Sequence, residues 1–325
     1  MPTSSPAPGK DGARSHGCGL WFVIVVLGLL MVAGFITYHF ANHKSPAAAG
    51  CTVRGDGPDL ELEPDQAANA ATIAAVATSR GLPERALTIA LATSMQESRL
   101  SNLDFGDRDS LGLFQQRPSQ GWGTAKEIQD PVYSTNAFFD HLVKIRGYTQ
   151  LPVTVAAQRV QRSGYPEAYA QHEADATLLS AALSGHDQGA LSCTTGGDSP
   201  DSAGGPLGRT SAVTALLTRE FGSQVRPRTD PAPHTVAVPS VPAGGGSTQA
   251  DGARRGWELA QWAVAHAHDL KVEQVSFGDM RWEAARSDKG WQKQRPASSS
   301  SGAGRGASTV AATSADGFVR ITVAQ

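Results

Sequence analysis

Two of the three cysteines, Cys51 and Cys193, bracket about 140 residues that hold no other cysteine, while Cys18 stands far upstream. A bridge between the bracketing pair would staple that stretch into one closed domain. Closing so long a loop removes on the order of 4–5 kcal/mol of unfolded-state entropy in the chain-entropy treatment. Such a bond persists outside the cytosol, so the pairing also places this part of the chain in an extracytoplasmic space. Three unrelated reduced thiols are the alternative that the odd count leaves open.

A route out of the cytosol lies upstream. Leu20 to Ala41, "LWFVIVVLGLLMVAGFITYHFA", runs about twenty residues without a formal charge, enough to cross a ~30 Å hydrocarbon core as a helix. Trp21 and Tyr38 stand near its ends, where amphipathic rings favour the interface. Signal-peptide cores run about 7–15 residues, so the span reads as a retained single-pass anchor contacting membrane lipid. Lys10 and Arg14 before it nearly balance Lys44 and Arg54 after it. The cysteines decide the orientation: residues 1–19 form a cytoplasmic, disordered tail, and the bulk of the chain is extracytoplasmic. Cys18 is then a spare thiol or an acylation site.

Between the cysteines the pattern is helical. Residues 65–79 are rich in Ala at helical spacing, with Asp65 as a candidate N-cap. "RGLPER" stops that helix and starts another over 83–99, with Gly81 and Pro83 as punctuation. Leu87, Ala90, Leu91, Ser94, Met95 and Ser98 share one face of this second helix, and Glu97 lies beside that face near the helix end, a position compatible with a cleft. Further helices are expected at 132–147, 152–163 and 166–184. Residues 101–131 are rich in Gly and Pro, and loops of that length in a compact domain are uncommon unless they build a site.

Three stretches taken together, "QESRL", "DSLGLFQQ" and "DPVYSTNAFFDHL", resemble the lysozyme-like lytic transglycosylase superfamily, most closely its actinobacterial membrane-anchored members, over about residues 70–185. The resemblance implies that Glu97 is the catalytic acid and Ser98 its neighbour. It implies that Ser110, Gly112, Leu113, Phe114 and Gln115 line the sugar groove, and that Asn136 is a structural residue of the next helix. The family's late Tyr-Asn-Ala-Gly motif is absent. "VQRSGYPEAYAQHE" stands in its place, with Gln161, Ser163 and Tyr165 as stand-ins, and with Tyr165 and Tyr169 as groove or packing residues. Gln116 joins Gln115 as a sugar-binding amide, and Trp122 either stacks on a sugar or packs inside.

The chemistry fits such a set. Cleaving a glycosidic bond needs an acid for the departing oxygen. A Glu against apolar walls such as Met95, Leu111, Leu113 and Phe114 stays protonated near neutrality, because burial disfavours its charged form. A lytic enzyme needs no second carboxylate, whereas a hydrolase would recruit one of Asp104, Asp107 or Asp109.

After a linker at 194–208, residues 209–325 alternate helix and strand signals: helices at 209–222 and 256–269, and strands at "HTVAVP", "VEQVSF" and "GFVRITVA". The run faintly resembles a degenerate D-Ala-D-Ala carboxypeptidase-type domain. The position where that family carries zinc ligands reads Phe318-Val319-Arg320. His266 and His268 in "HAHD" point about 200° apart on a helix, so no metal and no cofactor is expected. The net charge of −2 and the lack of a basic stripe in the sequence argue against a nucleic-acid partner.

The expected architecture is therefore a mainly α lysozyme-like domain (α+β superfamily) at 51–193, behind an N-terminal transmembrane helix at 20–41 and a linker at 42–50. A small α+β accessory domain at 209–325 follows. The expected function is lytic cleavage of peptidoglycan glycan strands. A non-catalytic peptidoglycan-binding or divisome scaffold, and a hydrolytic muramidase, are the rival readings.

Overall fold

The computed structural model describes residues 49–162, 166–195, 208–241, 248–294 and 317–325. The expected membrane helix at 20–41, Cys18 and Tyr165 lie outside them. Among the described residues no helix is long and apolar enough to cross a membrane.

A short antiparallel sheet ties the two ends of the bracketed stretch together. Strands β1 (Gly50–Val53), β2 (Leu60–Leu62) and β3 (Leu191–Thr194) lie in the order β2-β1-β3, with Cys51 opposite Cys193. The two sulfurs are bonded, closing a loop of 142 residues.

Helix α1 (Pro64–Ser79) starts with Pro64 in its first turn, and the Gln66 side chain accepts from the Glu63 backbone N–H at 2.8 Å. Glu63, rather than Asp65, is its N-cap. Every residue from Ala67 to Ala77 except Asn69 is buried. A helix apolar all round belongs in the middle of a core, covered on more than one side. On one side lie α2 (Glu84–Ser98), α4 (Pro131–Leu142) and α6 (Glu173–Leu183). The short α3 (Ala125–Ile128), α5 (Val153–Gln161) and a 3₁₀ segment at Pro166–His172 complete that half. On the other side lie α7 (Thr210–Phe221) and α8 (Gln249–Ala265).

The remaining elements are β4 (Arg228–Thr229), β5 (Thr235–Pro239), α9 (Ala267–Leu270), β6 (Val272–Phe277), β7 (Met280–Glu283), β8 (Gln292–Lys293) and β9 (Phe318–Val323). They form an antiparallel six-stranded sheet, β4-β5-β9-β6-β7-β8, against which α8 packs. The alternating burial along β9 is the period-2 pattern read in "GFVRITVA".

Three buried polar side chains anchor this second layer to the first. The Glu220 carboxylate accepts from the Thr72 hydroxyl at 2.8 Å and from the Trp262 indole at 2.6 Å. Glu258 accepts from the Arg255 guanidinium at 2.8 Å and from the Thr78 hydroxyl. The fully buried Gln261 accepts from the Leu191 N–H at 2.9 Å and donates to the carbonyls of Ala182 and Asp187 at 2.5 and 3.0 Å.

The expected fold class is corrected here. In place of a mainly α domain with a separate small α+β appendage, the described residues from 49 onward form one mixed α/β unit with a continuous core. The physical reason is α1: its second buried side needs α7 and α8, so the C-terminal elements complete the core. Smaller differences concern element ends. The expected 166–184 helix opens as a 3₁₀ segment, the 132–147 helix stops at Leu142, and the 256–269 helix begins at Gln249.

Candidate active site

Helix α2 ends abruptly just past Glu97. Arg99 and Leu100 both take left-handed backbone conformations, with φ of 56° and 60°, which L side chains adopt reluctantly. The turn closes through Arg99 N–H to Met95 O (3.0 Å) and Leu100 N–H to Ser94 O (3.2 Å). Two α1 amides then hold the exposed carbonyls: Gln66 donates to Arg99 O and Asn69 to Leu100 O, each at 2.8 Å. Glu97 thus sits on the last turn of a helix whose exit is pinned from outside.

Glu97 is half-buried. The hydroxyl of Tyr169, itself fully buried, donates to its Oε1 at 2.6 Å. Burial raises the carboxyl pKa above the ordinary glutamate value, and hydrogen bonds from Tyr169 and Gln161 offset part of that rise. The neighbouring Gln96 accepts from Gln171 Nε2 at 2.9 Å and lies 3.1 Å from His172 Nε2. The 3₁₀ segment is thereby fastened across the end of α2. Burial also lowers the His172 pKa.

The "SLGLFQQ" stretch is a tight loop closed by a reciprocal backbone pair between Leu111 and Gln116, both bonds 2.9 Å. Ser98 donates to Leu113 O at 2.7 Å and Ser94 to the same oxygen at 3.1 Å. Phe114 O accepts from Gln161 Nε2 at 2.7 Å, which brings α5 to the acid. Beneath the loop, Phe114 stacks on Phe138 with ring centroids 4.6 Å apart. Gly112 has φ of 74°, and a Cβ there would lie 2.7 Å from Ile128 O, so only glycine fits.

The other expected site residues fall into two groups. Gln115 is half-buried beside the loop, its amide 3.3 Å from the carbonyls of Phe105 and Gly112. Ser98, Ser110 and Gln116 are buried. The Gln116 amide donates to Ser134 O at 2.9 Å, so it seats the loop on α4, as Ser98 seats it on α2. Trp122 rests on His141, ring centroids 4.1 Å apart, and packs against the core. Asn136 accepts from Arg80 at 3.0 Å and joins α4 to the end of α1.

Asp109 is paired with Arg117 at 2.8 Å and accepts from Ser119 N–H at 2.8 Å. Arg117 first, and Ser119 next, hold its carboxyl well below the usual range. Asp104 and Asp107 are exposed.

Gln161, expected as a stand-in for the late motif, and Tyr169, expected as a groove or packing residue, both contact Glu97; the sequence did not show that Tyr169 bonds to the acid. A buried tyrosine needs a partner for its hydroxyl, but "PEAYAQH" forms a 3₁₀ segment with no helical period to show which way that ring points. Elsewhere, His266 faces inward 3.6 Å from Glu220, while His268 faces out. Asp65, His268 and Asp269 bring ligand atoms within 4.8 Å of one another on the surface. A cavity of about 880 Å³ lies between α7 and the β4–β5 turn and shares no residue with the surroundings of Glu97.

In comparisons with known proteins, no family model and no curated protein matches this chain.

Proposed function

We propose that this protein cleaves the β-1,4 bond between N-acetylmuramic acid and N-acetylglucosamine in peptidoglycan, lytically, with Glu97 as acid and then base. The observation that carries the reading is the half-buried Glu97, its pKa raised by burial, bonded by Tyr169 and by Gln161, which also holds the 111–116 loop through Phe114 O. The resemblance of "QESRL", "DSLGLFQQ" and "DPVYSTNAFFDHL" to lytic transglycosylases supports it. The Cys51–Cys193 bond supports an oxidising, extracytoplasmic setting, where such a polymer is found.

In the reaction, the Glu97 proton passes to the glycosidic oxygen as the C1–O bond breaks. The substrate's own acetamido group supports the electron-poor C1. Its 6-hydroxyl then attacks C1 and returns a proton to the Glu97 carboxylate, forming a 1,6-anhydro sugar. No second carboxylate and no cofactor enters. The engagement of Asp109 by Arg117 and Ser119 favours this route over hydrolysis through that aspartate.

Digestion of purified cell walls tests the proposal. Anhydro ends from the wild type, absent with Glu97→Gln, are the expected result. Reducing ends would mean hydrolysis. Wall binding with no product from either protein would leave a glycan-binding or scaffold protein and refute the enzymatic reading.

A further inference from the structure

Phe105 is 68% exposed and is the one aromatic among the exposed large hydrophobic side chains of the described residues. Single exposed apolar residues are common on protein surfaces, so its setting matters more than its exposure. The loop beneath it is braced at several points. Leu103 O accepts from Gly112 N–H at 2.7 Å and from Gln129 Nε2 at 2.6 Å, and Phe105 O accepts from Gln115 Nε2. A Cβ on Gly106 would lie 1.9 Å from Gln115 Oε1 and 2.7 Å from Ser110 O, so the backbone next to Phe105 lies directly on the Gln115 amide. Asp109, at the far end of this loop, is fixed by Arg117 and Ser119. The ring therefore projects from a rigid support.

That support belongs to the acid site. From Phe105 a hydrogen bond leads to Gln115, the next residue back is Phe114, and Phe114 O is bonded to Gln161, which contacts Glu97. Trp122, the aromatic that the sequence offers for sugar stacking, has its ring turned onto His141. The exposed aromatic on the loop tied to that site is Phe105. A flat apolar ring suits the C–H face of a pyranose, and surrounding amides such as Gln115 suit its hydroxyl and acetamido edges.

We infer that Phe105 is a stacking platform for one sugar ring of the glycan, on the rim of the Glu97 site. The inference rests on the peptidoglycan reading and names a substrate-contacting residue for it. Because the side chain is exposed, replacing it leaves the fold intact, which thermal melting of each variant checks.

The test separates binding from cleavage. In the Glu97→Gln background, binding to insoluble peptidoglycan is measured by pelleting, with and without Phe105→Ala and Phe105→Trp. The expected result is about ten-fold weaker binding for Ala and retained binding for Trp. In the active protein, Phe105→Ala is expected to raise KM about ten-fold, leaving kcat within about two-fold. Unchanged pelleting of the Glu97→Gln/Phe105→Ala protein overturns the inference. So does a loss confined to kcat. If the wild type releases no product, the catalytic reading fails, and the pelleting comparison still decides the role of Phe105.

Discussion

Replacing Tyr169 by Phe removes one hydroxyl and leaves the ring, and with it the packing of a fully buried side chain. What is lost is the 2.6 Å hydrogen bond to Glu97 Oε1. That bond stabilises the charged carboxylate, so its loss raises the Glu97 pKa further above the ordinary value. A hydrogen bond to a charged group contributes about 1.5–3 kcal/mol. Glu97 is half-buried, so solvent screens part of that, and the low end applies. The expected shift is therefore upward. In the proposed role of general acid, Glu97 works only while protonated, so kcat/KM falls as pH rises through its pKa. In Tyr169→Phe the alkaline limb of the pH profile, measured on soluble glycan fragments, is expected to move to higher pH. The limb staying in place, or moving down, would refute the assignment of Tyr169 as the residue tuning this acid. A uniform loss of rate with an unshifted profile would indicate that the hydroxyl orients the site without setting its proton affinity.

Three further outcomes follow from the packing. Because the folded-state pKa of Glu97 is raised, its charged form opposes folding. Relative to Glu97→Gln, the wild type is therefore expected to lose stability as pH rises from the unfolded-state value through the folded one, and thermal melts of both proteins across pH 4–8 check this. Ser98→Ala strips the 2.7 Å bond to Leu113 O and leaves a buried carbonyl with Ser94 alone; about 1–2 kcal/mol of stability should be lost in denaturant titration, with kcat falling as the loop loosens. Reducing Cys51–Cys193 should cost about 2–5 kcal/mol, and both thiols should resist alkylation until a reductant is added.

What could be read in the sequence follows from where the physics is local. The helix stop at Gly81, the start after Pro83, the alternation in "GFVRITVA" and the pairing of the two bracketing cysteines depend on neighbours in the chain or on elimination. The polarity and placement of Glu97 relative to α2 were legible for the same reason. Two features were not. The contact of Tyr169 with Glu97 spans 72 residues and depends on a 3₁₀ segment, which leaves no amphipathic trace. The buried roles of Ser98 and Gln116 were hidden because a loop polar residue reads the same whether its partner is a substrate or a backbone carbonyl.

The merged core is the other illegible feature, and it bears directly on the acid. Arg99 and Leu100 hold their left-handed turn because Gln66 and Asn69 of α1 bind their carbonyls. Helix α1 is in turn held by Thr72 to Glu220 and by Thr78 to Glu258, which belong to α7 and α8. The C-terminal half therefore supports the exit of the helix that carries Glu97. Gln261→Leu, which keeps the volume but leaves Leu191 N–H and the carbonyls of Ala182 and Asp187 without that partner, should cost about 2–4 kcal/mol by denaturant titration. A chain ending before α7 exposes the second apolar side of α1 and is expected to be recovered unfolded or aggregated, as circular dichroism and size-exclusion chromatography would reveal. A soluble, cooperatively melting fragment of residues 49–195 would overturn this dependence and show that the acid-bearing half stands alone.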